Sequence, residues 1–105
     1  MKLYDYYRSS AAFRVRIALN IKGLEVARES VHLRRKDQRS DAYLAINPQG
    51  LVPTLIDDDG TLVPQSMAIM EYLDETRPDT PHLMPGDAAG RARVRAISSA
   101  IACDI

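Results

Sequence analysis

Between Ala11 and Lys22 apolar residues recur at helical spacing on two stripes, Phe13, Ile17 and Ile21 on one and Val15, Ala18 and Leu19 on the other. That pattern predicts a helix. Gly23 follows it directly, where a left-handed C-cap would stand. Leu3 to Tyr7 is short, aromatic and bounded by polar residues, which predicts a strand before the helix. After it, Glu25 to Leu33 returns to β composition, with Ala27, Val31 and Leu33 on one parity. Strand, helix and strand within about thirty residues form a βαβ unit, whose crossover is right-handed and whose strands are parallel.

Ser40 is placed to cap a short helix ending near Asn47, since Pro48 follows. The run LVPTLIDDDGTLV has two apolar segments around Asp59-Gly60, a hairpin signal. Ser66 opens the next helix, with Met67, Met70 and Leu73 on one stripe and Ile69 beside it. Arg77 to Gly86 carries three of the six prolines and reads as a linker. Asp87 can cap a last helix with an inward stripe of Val94, Ile97 and Ile101, continued by Ile105. The pattern stops inside that helix, with a carboxylate at the negative end of its dipole. It reads as the front part of a longer protein. The order βαβαββα predicts an α/β fold of the thioredoxin type, a mixed four-stranded sheet with helices on its faces.

Composition adds mostly exclusions. Acids and bases balance at 14 each, so no basic surplus speaks for nucleic acid. The start lacks the apolar stretch of a signal peptide, and no apolar run is long enough to span a bilayer; a cytoplasmic location follows as the default. With one cysteine, Cys103, the chain has no internal disulfide, no C-x-x-C and no thiolate metal cluster. The acidic run Asp57 to Asp59 lacks calcium-loop spacing. His32 and His82 have no Cys or carboxylate set out as a ligand or base set, so no metal site is expected.

Three short segments remain. Ser9 and Ser10 stand at a strand-to-helix junction. Serine there is an N-cap worth roughly 1 kcal/mol, yet such a junction also binds anions through free N–H groups and the helix dipole. In NPQGLVPTL, Pro53 opens a strand, which fits an edge strand or a cis Val52-Pro53 bond turned toward a ligand. Gln65 and Ser66 begin a helix after a strand, either as a cap or as a carboxylate site.

Taken together, RSSAAFRVRIAL, NPQGLVPTL and PQSMAIMEYL resemble in order and spacing the N-terminal domain of zeta-class glutathione transferases, the class of maleylacetoacetate and maleylpyruvate isomerases. The tail GRARVRAISSAIACDI resembles the first helix of that family's all-helical second domain. The resemblance implies a glutathione-binding domain over 1–80, a linker at 81–86 and the start of the helical domain at 87–105. It implies glutathione as cofactor and a cis–trans isomerisation of a maleyl-type dicarboxylate, in a homodimer when full length. By position, Ser9 would hydrogen-bond the glutathione sulfur and Ser10 would support it. Val52 would pair its backbone with the cysteinyl part, beside a cis Pro53. Gln65 and Ser66 would hold the γ-glutamyl end, and Gln49 and His32 fall near the glycyl end. One position departs: Ala11 stands where the family has a cysteine after the two serines. A glutathione-binding module without turnover, and conjugation or dehalogenation with glutathione, are the alternative readings.

Overall fold

A computed structural model describes residues 1–104. The chain runs β1 (Lys2–Asp5), α1 (Ser10–Lys22), β2 (Ala27–Ser30), two 3-10 turns (Leu33–Arg35 and Asp37–Arg39), α2 (Asp41–Ile46), β3 (Thr54–Ile56), β4 (Leu62–Pro64), α3 (Ser66–Thr76) and α4 (Ala88–Ser99), which passes into a π-helical turn over Ala100–Asp104. The strands order as β2-β1-β3-β4. β1 pairs parallel with β2, as the βαβ reading requires, and antiparallel with β3, which pairs antiparallel with β4. The expected α/β fold with a mixed four-stranded sheet is the one observed.

Alternation along β1 divides the core. Leu3 points to one face and packs with Val15, Leu19, Leu55, Ile69 and Leu73, so α1 and α3 cover that side. Tyr4 points to the other and packs with Val31 and Tyr43, so α2 covers that one. Each fully buried aliphatic side chain contributes roughly 1.5–3 kcal/mol. Of the two stripes on α1, the sheet takes Val15, Ala18 and Leu19; Phe13, Ile17 and Ile21 are left 55%, 43% and 54% exposed. The strands are shorter than their composition predicts. β1 ends at Asp5, and β2, an edge strand with all four residues exposed, ends at Ser30, so that Leu33 falls in a 3-10 turn.

Local signals set the helix ends. Ser9 accepts from Ala12 N–H at 3.1 Å, Ser40 from Tyr43 N–H at 3.2 Å and Asp87 from Gly90 N–H at 2.9 Å. Gly23 takes φ 68° and its N–H reaches Asn20 C=O, while Leu24 N–H reaches Leu19 C=O, closing α1. Asp57 to Thr61 forms the hairpin turn, with Gly60 at φ 88°.

The Arg77–Gly86 stretch has no helix or strand, as expected, but it is not loose. Lys22, fully buried, reaches Asp74 at 2.7 Å and Pro81 C=O at 3.0 Å. Asp74 in turn accepts from the N–H groups of Leu83 and Met84. On α4 the expected inward stripe is not buried: Val94 faces a cleft against α1 and α3, but Ile97 and Ile101 are 59% and 54% exposed. Nothing among the described residues lies over that face. The continuation at Ile105 falls outside the described residues. No helix among them is long and apolar enough to cross a membrane.

Candidate functional site

Strand register decides which loops meet. Tyr4 on β1 stands opposite Thr54 on β3, Thr54 opposite Pro64 on β4, and Asp5 beside Ser30 on β2. All four strands therefore have one end in common. From it leave the segments to Ser9 and Ser10, to His32, to Gln65 and Ser66, and, entering β3, Val52 and Pro53. The eight residues singled out in the sequence all flank this one edge, apart from Gln49, which is three residues before Val52 and is brought back by Gln65.

The Val52-Pro53 bond is cis. Pro53 is buried ahead of Thr54, and the backbone N–H and C=O of Val52 make no hydrogen bond among the described residues. Ser9 spends an oxygen lone pair on Ala12 N–H, which leaves its hydroxyl proton free to donate. Ser10 is exposed at the first position of α1.

The start of α3 is built differently. Gln65 occupies the N-cap at φ 74° and ψ 124° with no side-chain capping bond among the described residues, so no cap takes up the first-turn N–H groups there. A non-glycine residue in that region costs about 1–3 kcal/mol. Its Nε2 donates to Gln49 Oε1 at 3.0 Å, which ties the two loops together. Ser66 is 6% exposed and accepts from Arg14 Nη1 at 3.0 Å. Arg14 was not singled out in the sequence. Its place on α1, five residues after Ser9, is the only sequence cue, and the contact spans 52 residues.

His32 is less involved. Its Nδ1 accepts from Arg35 N–H, capping a 3-10 turn, and its ring stacks edge-on to Tyr6 with centroids 5.1 Å apart. It shares the edge but makes no hydrogen bond to the other candidates among the described residues.

Beneath the 47–53 loop lies a network that sequence reasoning missed. Asn47 is 2% exposed; its Nδ2 donates to Leu51 C=O at 3.1 Å and Thr54 Oγ1 at 3.2 Å, and its Oδ1 accepts from Gln49 N–H. The Tyr43 hydroxyl donates to the same Leu51 carbonyl and lies 2.9 Å from Thr54 Oγ1. Burial pushes the Tyr43 phenol up, against opposing bonds to Thr54 and Asn47, so it stays a donor. In the sequence Asn47 marks only a helix stop, and its place at the start of the loop that carries Gln49, Val52 and Pro53 is the one local signal of this role.

Elsewhere, an apolar cleft of about 280 Å³ separates α1, α3 and α4, lined by Ile17, Ile21, Met67, Met70 and Val94 among others. Arg14, Glu71, Arg95 and Ser98 also border it. Asp57, in the acidic turn, accepts from Arg77 and Tyr72, whose bonds hold its carboxyl well below the usual range. Among the described residues no group of three His, Cys, Asp or Glu gathers as a metal site.

A sheet of this topology with a cis-proline loop and an open helix start beside it defines a class. The chain belongs to the family described as glutathione S-transferase, N-terminal domain, which matches residues 8–76. Within that family it is similar to the maleylacetoacetate isomerase of Pseudomonas aeruginosa, 50% identical over 107 residues that cover 100% of this chain and 50% of that protein. A solved holo structure of a maleylpyruvate isomerase, described as a bacterial zeta-class glutathione S-transferase, superposes with TM-score 0.92 at 48% identity, over 100% of this chain and 49% of that one. A maleylacetoacetate isomerase from Methylobacterium extorquens AM1, solved with malonate and glutathione bound, gives TM-score 0.92 and 48% identity over 99% and 48%. The chain spans about half the length of the relatives it matches.

Proposed function

We propose that this chain is the glutathione-binding part of a cis–trans isomerase acting on maleyl-type dicarboxylates, maleylacetoacetate or maleylpyruvate. The observation that carries the reading is the edge itself: unpaired Val52 beside a cis proline, facing the same strand ends as Ser9 and the uncapped start of α3.

These residues fit a tripeptide thiol with a charged end. An extended peptide can pair with the free N–H and C=O of Val52, as an added strand pairs with a sheet edge. Open N–H groups at Ser66 and beyond, with Arg14 behind them, suit the γ-glutamyl carboxylate. The Gln65 side chain is fixed by Gln49 for that same end, and His32 lies toward the glycyl end. Ser9 keeps a hydroxyl proton that can be given to sulfur, with the N-terminus of α1 adding positive potential. Ser10 supports that junction. Bound glutathione supplies the nucleophilic sulfur for addition to the cis double bond, rotation and elimination.

The task of the protein residues is to raise the share of thiolate. A thiol with pKa near 9 is only about 1% ionised at pH 7, and lowering it by about two units gains roughly fiftyfold in nucleophile. Part of that gain is lost, since a less basic thiolate attacks more slowly. Ala11 brings no thiol of its own, so in this reading the sulfur comes from glutathione alone. Residues 1–80 form the glutathione-binding domain, 81–86 the linker and 87–105 the start of a helical domain that holds the dicarboxylate. The Methylobacterium relative was solved with a dicarboxylate, malonate, and glutathione bound. We place the full-length protein in the cytoplasm as a homodimer, in aromatic amino acid catabolism.

The test is turnover by the purified full-length protein with glutathione and either maleyl substrate, followed as loss of the cis isomer. Glutathione-dependent isomerisation is expected. Binding of glutathione without loss of either substrate would favour a binding module or a conjugating enzyme and sink the isomerase assignment.

A further inference from the structure

We infer that Asn47 and Tyr43 are positioning residues for glutathione, acting through Leu51 to fix the backbone of Val52. The inference rests on the reading of the site given above and adds residues that no site contact would reveal.

Proton bookkeeping supports it. The Leu51 carbonyl has two lone pairs, and both are taken, one by the Tyr43 hydroxyl and one by Asn47 Nδ2. The single phenol proton of Tyr43 is thus spent on Leu51. Thr54 Oγ1 receives the second Asn47 N–H, and its own proton is left for the Tyr43 oxygen at 2.9 Å. Asn47 Oδ1 holds Gln49 N–H at 3.1 Å. Each polar side-chain group in this set has a partner, and the three side chains are at most 4% exposed. The network grips residues on both sides of Val52 and stops short of it. Gly50 lets the loop approach its neighbours closely: at φ 65°, a Cβ there would meet Gln38 C=O at 3.0 Å and Leu44 at 3.3 Å.

A loop held at Gln49, Leu51 and Thr54 presents unpaired N–H and C=O groups in one orientation. Ligand binding then costs little ordering of the backbone, which is how a distant hydroxyl can act on affinity. Satisfied buried networks of this kind rigidify what they touch.

The experiment compares two Tyr→Phe changes in the full-length protein. Tyr43→Phe removes the hydroxyl on Leu51, whereas Tyr72→Phe removes one that bonds Asp57 at 2.6 Å beside the hairpin turn. Reduced glutathione is titrated by calorimetry, and amide exchange at Gly50, Leu51 and Val52 is measured without ligand. Tyr43→Phe should raise the glutathione Kd about three- to tenfold and speed exchange at those amides, while Tyr72→Phe leaves both within about twofold. Asn47→Asp, which keeps the bond to Gln49 and loses both Nδ2 donors, should weaken binding by about tenfold or more. If Asn47→Asp fails to fold, Tyr43→Phe decides alone. An unchanged Kd in Tyr43→Phe, or an equal loss in Tyr72→Phe, overturns the inference. If the wild-type protein takes no glutathione, the functional reading falls; faster exchange in Tyr43→Phe then upholds the hold on the loop, and unchanged exchange overturns it.

Discussion

Helices α1 and α3 start at the same end of the sheet, with Ser9 at the N-cap of one and Ser66 at the first helical position of the other, and the two hydroxyls accept from different places. At α1, Ser9 caps its own helix through Ala12 N–H, the backbone is ordinary at φ −76°, and the hydroxyl proton is spare. At α3 no side chain among the described residues caps the helix, Gln65 is held at φ 74°, and Ser66 takes its bond from Arg14 on the other helix. The cap at α1 takes one first-turn donor, Ala12 N–H, out of use. The start of α3, in a strained conformation, gives up none of its donors to a cap, at a cost of about 1–3 kcal/mol met by the surrounding contacts. In the proposed reading the first site meets the glutathione sulfur and the second its carboxylate.

The comparison breaks most sharply at Ser9. Ser9→Ala should lower kcat with a maleyl substrate by about a hundredfold, as loss of one preorganised donor does, and raise the pKa of bound glutathione. It should also cost about 1 kcal/mol of stability through the lost cap. A thiolate absorbance that titrates unchanged would remove Ser9 from the site. At α3 the complementary change is Ser66→Asp. Its carboxylate would pair with Arg14 and the open N–H groups, stabilising the helix by about 0.5 kcal/mol while repelling the ligand carboxylate. Glutathione affinity should fall about a hundredfold in calorimetry, and an unchanged Kd would refute a carboxylate site there.

Gln65→Gly separates strain from binding. Glycine accepts the positive φ, so thermal unfolding should shift upward by the equivalent of about 1 kcal/mol, while glutathione binds about tenfold more weakly. Greater stability with full affinity would show that the side chain has no part in binding. The smallest effect is on pH. The bonds from Arg77 and Tyr72 hold Asp57 far below its usual range. Burial pushes Asp74 up, but Lys22 and the Leu83 and Met84 amides together outweigh it, and the net direction is down. Both carboxyls bind fewer protons folded than unfolded. The stability they contribute is therefore present above about pH 4 and lost as pH falls through their folded values. Since both anchor α3, its amides should lose exchange protection in acid before those of the α1 N-terminal half. Equal loss in the two helices would contradict this.

Much of this was legible along the chain. Ser9, Ser40 and Asp87 announced their helices, Gly23 and Gly60 their turns, and Pro48 the end of α2, because caps and turns are local physics. The candidate site was legible as a set of segments, since family order and spacing survive in linear sequence. Arg14, Tyr43 and Asn47 were not. Their roles depend on partners up to 52 residues away or on an acceptor chosen only when the loop closes.

By itself the sequence determined the order of helices and strands, the helix ends and which segments make up the candidate site, since these follow from spacing, residue shape and local hydrogen bonding. Tertiary structure decided which stripe of α1 went inside, because two apolar faces of equal helical period can be told apart only by the sheet they meet. It also decided the left-handed backbone of Gln65, the uncapped start of α3 and the unpaired backbone of Val52. Those are unfavourable for an isolated segment, and they exist because packing and hydrogen bonds from elsewhere hold them in place.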